Sequence, residues 1–122
     1  MNKTIMVVDD SASLRQVVGM TLRGAGYEVL EATDGQHALT HLQGQRIHLV
    51  VCDVNMPNLD GIGFLRAFKE LPSYKFTPVI MLTTETEEDK KQEARAAGAR
   101  AWVVKPFKAD ALLGAIRKLV LP

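Results

Sequence analysis

The stretch His48-Leu49-Val50-Val51-Cys52-Asp53-Val54-Asn55-Met56-Pro57-Asn58-Leu59-Asp60-Gly61 decides how the rest of the chain is read. Four apolar residues, Leu49 to Cys52, run straight into a carboxylate, and a proline and an Asp-Gly pair then break the chain. A short, continuous apolar run bounded by turn residues reads as a strand covered on both faces. Asp53 stands where that strand ends. A lone aspartate there also suits a cap or a turn, so its meaning depends on what ends the other strands.

Working outward, Ile5-Met6-Val7-Val8 is a second such run and ends in Asp9-Asp10. Ser11 and Ser13 offer a hydroxyl to cap a helix whose face carries Leu14, Val17, Val18, Thr21, Leu22 and Ala25. Gly24 and Gly26 stop it; they follow a helix, not a strand, so they read as a turn and not as a dinucleotide loop. Glu28 to Ala32 is more polar, like a strand near a sheet edge. Asp34 caps a helix carrying Ala38, Leu39 and Leu42, ended by Gln43-Gly44-Gln45. Beyond Gly61, Ile62, Leu65, Phe68 and Leu71 form another stripe, with Phe64 beside it and Pro72 closing the helix. Pro78 to Leu82 is the fourth strand, ending in Thr83. The segment from Glu87 to Ala97 is helical by propensity but charged nearly all round; with Ala94 and Ala97 to bury, it is expected to be weakly held. Gly98 caps it. Ala101 to Val104 is the fifth strand, ending in Lys105-Pro106. A last helix carries Leu112, Leu113, Ile116, Leu119 and Val120.

Alternation of strands and helices predicts an α/β fold with a parallel sheet covered on both faces. Right-handed crossovers leave few topologies, of which the flavodoxin-like, doubly wound (βα)5 order 2-1-3-4-5 places the polar second strand at an edge.

The bulk composition fits one domain spanning 1–122. Of 122 residues, 47% are hydrophobic, enough for a core. A net charge of +1 gives no reason to expect nucleic acid or a membrane surface as partner. Cys52 is the single cysteine, so no intrachain disulfide forms; it reads as buried filler and fits a reducing, cytoplasmic setting. No apolar run reaches the ~18 residues of a membrane span, and Met1 to Thr4 leads into a strand without a signal-peptide core. Met6, Met20, Met56 and Met81 read as core or near-core filler. His37, His41 and His48 read as surface histidines; the first two have a metal-compatible spacing but no third ligand in view.

Four strands end in polar residues of distinct type: Asp9 and Asp10, Asp53 with Asn55 two residues on, Thr83, and Lys105. In a parallel sheet these ends share one edge, where open α/β sheets bind ligands. Three carboxylates together repel one another and raise a pKa unless a cation intervenes. Oxygen ligands of this kind suit Mg2+. A metal, a lysine and a hydroxyl around a carboxylate are equipment for phosphoryl transfer, with the aspartate as nucleophile. No Walker motif or glycine-rich loop holds a nucleotide.

Asp9-Asp10, Cys52-Asp53-Val54-Asn55-Met56-Pro57 through Gly61, Leu82-Thr83-Thr84-Glu85 and Lys105-Pro106-Phe107 together resemble the receiver domains of two-component response regulators over the whole length, in the stand-alone form without an output domain found among chemotaxis regulators. The resemblance implies that Asp53 accepts a phosphoryl group from a phosphohistidine of a sensor kinase. It implies Mg2+ bound by Asp10 and Asp53, by Asp9 through water and by the Asn55 carbonyl. Thr83 and Lys105 would bind phosphoryl oxygens, Thr83 and Trp102 would act as the switch pair, and Asn55 and Glu85 would flank the hydrolytic water and make the phosphoryl state short-lived. A cis Lys105-Pro106 bond is also implied. The expectation is a monomeric phosphoacceptor, not an enzyme, whose face of fourth helix, fifth strand and fifth helix binds a phosphorylation-dependent protein target. Trp102 and Thr84 replace the Tyr and Ala of the flagellar-motor regulator, and Glu88 and Lys91 replace its Lys and Ile. These changes speak against the flagellar switch as target. A phosphate sink without output is one alternative. A phosphatase with an aspartate nucleophile is another, which Asn55 disfavours because such enzymes carry a general-acid aspartate there.

Overall fold

The computed structural model describes residues 3–42, 44–56, 58–84 and 88–120. Five parallel strands, β1 (Thr4–Val8), β2 (Glu28–Ala32), β3 (Leu49–Asp53), β4 (Val79–Thr83) and β5 (Ala101–Val104), lie in the order β2-β1-β3-β4-β5. They alternate with α1 (Ala12–Gly24), α2 (Gly35–Thr40), α3 (Gly61–Glu70), α4 (Glu88–Ala96) and α5 (Ala109–Leu119), and a 3-10 turn spans Pro72–Tyr74. The fold is therefore the flavodoxin-like one expected, with the polar β2 at one edge and β5 at the other.

The continuous apolar runs feed two cores by alternation. Met6, Val8, Val50, Cys52 and Met81 face the side covered by α2, α3 and α4, where Phe64, Phe68 and Tyr74 stack at ring distances of 5.3 and 5.0 Å. Ile5, Val7, Leu49, Val51, Ile80 and Leu82 face the other side, with Val18, Leu22, Leu112 and Ile116. Phe64 is thus fully buried and not merely beside the stripe. Each strand buried on both faces leaves no room for a polar side chain until its last residue, so the polar ends collect at one rim.

Several sequence expectations need correction. On α1 the buried line is Val18 and Leu22 with Gly19, while Val17 is 50% and Met20 69% exposed. A helix laid on a sheet buries only the stripe that touches it, and among the described residues no element covers the flank that carries Val17 and Met20. Ala25, the C-cap of α1, is exposed as well, and so is Leu71, whose extended backbone ends α3. α2 stops at Thr40 with His41 as its C-cap, so Leu42 is buried from beyond the helix. Strand β3 begins at Leu49, and His48 does more than lie on the surface: its Nδ1 accepts from the Thr4 N–H at 3.0 Å, tying the starts of β1 and β3. In α4 only Ala94 is fully buried. Among the described residues no helix is long and apolar enough to cross a membrane.

Candidate functional site at the carboxyl rim of the sheet

Strand register sets the pocket. Val8 pairs with Cys52, Asp53 with Leu82, and Thr83 with Val104. The residues that follow or complete these pairs, Asp9, Asp53, Thr83 and Lys105, therefore leave the sheet side by side. The Lys105 N–H donates to the Thr83 carbonyl at 2.7 Å, and the Lys105-Pro106 peptide is cis. Downstream of β3, Asp60 caps α3 by accepting from the Gly63 N–H, and the chain returns so closely that a Cβ on Gly61 would lie 2.1 Å from the Asp53 carbonyl oxygen. Only glycine admits this return. Asn58, at φ 66°, donates to Asp34 at 2.9 Å and joins this loop to the start of α2.

Asp9, Asp10 and Asp53 each bring an oxygen within 4.8 Å of the others. Asp9, Asp53 and Thr83 are buried; Asp10 and Asn55 are exposed. Lys105 Nζ sits 2.7 Å from Asp53 Oδ1. Burial pushes the Asp53 carboxyl up, against the pull of Lys105 and of the Asn55 backbone N–H, and Asp10 adds to the rise. Asp9 is likewise raised by burial, held back by the Ser11 N–H, and raised further by Asp53 and Asp10. Two oxygens stand out: Asp9 Oδ2 and Thr83 Oγ1 are buried with no hydrogen-bond partner among the described residues. A buried acceptor without a partner is costly. Both have the chemistry to be satisfied by a hydrated divalent cation and a phosphoryl oxygen, so the donor set fits Mg2+.

Of the residues predicted for the site, the fold thus gathers Asp9, Asp10, Asp53 and Lys105 around one point, sets Thr83 on the neighbouring strand end, and leaves Asn55 on the rim. Trp102 does not join them. It pairs with Met81 on the edge strand, is half-buried, and its ring lies 4.9 Å from the Arg95 guanidinium of α4. Glu85 lies outside the described residues. Cys52 is fully buried, and burial pushes its thiol well up, which suits filler and not a nucleophile. His37 and His41 do approach, Nε2 to Nε2 at 2.5 Å, but among the described residues only the three aspartates form a group of three or more metal-ligating side chains. One contact leaves no mark in the sequence: Arg15 Nη1 donates to the Asp9 carbonyl at 2.7 Å. An arginine on a helix reads as a solvated charge, and a backbone acceptor leaves no trace in sequence.

The family model of the response regulator receiver domain matches residues 5–117. This chain belongs to that family. The receiver is 39% identical over 116 residues to the Chemotaxis protein CheY of Pseudomonas aeruginosa, covering 94% of each chain. Its fold superposes on Vibrio cholerae chemotaxis protein CheY4 with a TM-score of 0.93 at 46% identity, covering 98% of this chain and all of that one. It is also similar, at 26% identity and a TM-score of 0.89, to the receiver domain of a Pseudomonas aeruginosa sensor histidine kinase solved with a magnesium ion coordinated in its active-site cleft; 98% of each chain is covered. The receiver is CheY-like in sequence and in strand order.

Proposed function

We propose that the receiver accepts a phosphoryl group on Asp53 from a phosphohistidine of a sensor kinase, uses Mg2+ to do so, and passes the change to a protein partner in chemotaxis-type signalling in the cytoplasm. The observation that carries this reading is Asp53, buried at the end of β3 and 2.7 Å from Lys105, with the unsatisfied oxygens of Asp9 and Thr83 buried at the same rim. An Asp53 oxygen attacks phosphorus as the phosphorus–nitrogen bond of the donor breaks, and the donor imidazole keeps the electron pair and leaves as neutral imidazole because its other ring nitrogen carries a proton. Asp9, Asp10 and Asp53 would hold Mg2+, with the Asn55 carbonyl, and the ion would supply positive charge to offset the negative charge on the phosphoryl oxygens. Lys105 gives up part of its pairing with Asp53 to a phosphoryl oxygen, and the Thr83 hydroxyl donates to another.

The protein is then an acceptor that assists its own loading and hydrolysis, with Asn55 and Glu85 at the water's path. Engagement of Thr83 at the end of β4 would bias α4, β5 and α5, since α4 buries little and contacts β5 through Arg95 and Trp102. The flagellar switch is not the favoured partner, because Glu88 and Lys91 alter the charge and the apolar area of α4. The test uses acetyl phosphate as donor. Mg2+-dependent gain of one phosphoryl group by intact mass, mapped to Asp53 and absent in Asp53→Asn, supports the reading. A gain that persists in Asp53→Asn, or none at all in wild type with Mg2+, overturns it.

A further inference from the structure

Asp9 has four polar groups, and three of them are fastened. Its N–H donates to the Ala32 carbonyl of β2 at 3.1 Å. Its Oδ1 accepts from the Ser11 N–H at 2.9 Å. Its carbonyl accepts from Arg15 Nη1 at 2.7 Å. The fourth, Oδ2, is the buried oxygen without a partner. Arg15 reaches this carbonyl from the first turns of α1 while its Nε donates to Glu31 Oε1 at 3.2 Å, and Glu31 Oε2 accepts from Arg23 at 3.1 Å. The Arg15 side chain is only 17% exposed. Gly19 makes room for the cluster: a Cβ there would lie 3.1 Å from Arg23 Nη1 and 3.6 Å from Glu31 Oε2.

We propose that Arg15 is a positioning residue of the acidic pocket, holding the peptide plane between Asp9 and Asp10, with Glu31 as the group that aims and neutralises it. The inference rests on the Mg2+ reading given above. The carbonyl of Asp9 and the N–H of Asp10 share one planar unit, so fixing that carbonyl sets the backbone from which both carboxylates project. Outer contacts that orient ligands in this way govern metal affinity. The fork of the guanidinium matters, because one nitrogen meets the carbonyl while another meets Glu31; an ammonium is a point charge and cannot span both. The charge matters with opposite sign. A bare guanidinium beside three carboxylates would repel a divalent cation, and Glu31 offsets it.

Titration calorimetry of Mg2+ on the intact protein, at about 0.15 M and about 0.5 M salt, separates these effects. Arg15→Met is expected to bind about tenfold more weakly at both salt concentrations. Arg15→Lys is expected to fall between it and wild type. Glu31→Gln is expected to lose affinity at low salt and regain it at high salt, where the uncovered charge is screened. In metal-free protein, the Asp10 amide resonance is expected to move in Arg15→Met more than in Glu31→Gln. Arg15→Met and Arg15→Lys both binding Mg2+ as wild type does would overturn the inference, and if Arg15→Met fails to fold, Arg15→Lys decides alone. Wild type that takes up no Mg2+ would instead bring down the reading beneath it. Wild type that binds while Asp53→Asn does not, with the Arg15 variants unchanged, would remove Arg15 alone.

Discussion

At the scale of the residue, the site is a set of charges held where they would not choose to be. Asp9 and Asp53 are buried, and burial is the first cause of the rise in each carboxyl pKa. A carboxyl raised in the folded state binds its proton more readily there than in the unfolded chain. Stability is then lost as pH climbs from the ordinary value of 3.8 through the folded value. Asp9→Asn is therefore expected to stabilise the metal-free protein at neutral pH. The gain should fade as pH falls below 3.8, where both states of the wild type are protonated. Urea melts at the two pH values measure it. Mg2+ is expected to stabilise wild type and to do little for Asp9→Asn. A variant no more stable than wild type at neutral pH would show that the buried charge is already compensated by its neighbours.

At the scale of the element, close backbone approach and loose helix packing do different work. Gly61 lets the loop after β3 fold back onto Asp53. Gly61→Ala puts a methyl group into the backbone of the acceptor itself, and a loss of about 3 kcal/mol in denaturant unfolding is expected. A loss below a few tenths would mean that the loop moves aside freely. On the opposite side of the pocket, α4 buries only Ala94 fully, and Arg95 rests on the Trp102 ring. Trp102 is the single tryptophan, so its emission reports this contact directly. Beryllofluoride with Mg2+ is expected to change both its intensity and its quenching by iodide. Unchanged values would remove Trp102 from the switch and leave it a half-buried residue of an edge strand.

At the scale of the whole molecule, the parallel order β2-β1-β3-β4-β5 is what turns four separate strand ends, those of β1, β3, β4 and β5, into one pocket. The strand ends were legible in the sequence because strands buried on both faces must be apolar up to their ends, which Asp9, Asp53 and Thr83 mark, and right-handed crossovers then left few orders. The edge position of β2 was legible from Glu28 and Glu31 for the same reason. What escaped the sequence depends on neighbours that periodicity does not see. Val17 and Met20 carry a helical apolar pattern, but among the described residues no element covers that flank of α1. His48 and Arg15 spend their donors and acceptors on backbone groups, Thr4 N–H and the Asp9 carbonyl, which look alike at every position of a sequence. Trp102 lies on the last strand of the expected order, while its contact with Arg95 follows only from where α4 lies.

One measurement bears most directly on the carboxylate at the end of β3. Wild type and Asp53→Asn are mixed with a radiolabelled, phosphorylated chemotaxis histidine kinase, with Mg2+ and with EDTA. Label is expected to leave the kinase for wild type only, in Mg2+ only, and then to be released within seconds to minutes. Transfer to Asp53→Asn equal to that on wild type, or transfer indifferent to the removal of Mg2+, would contradict it.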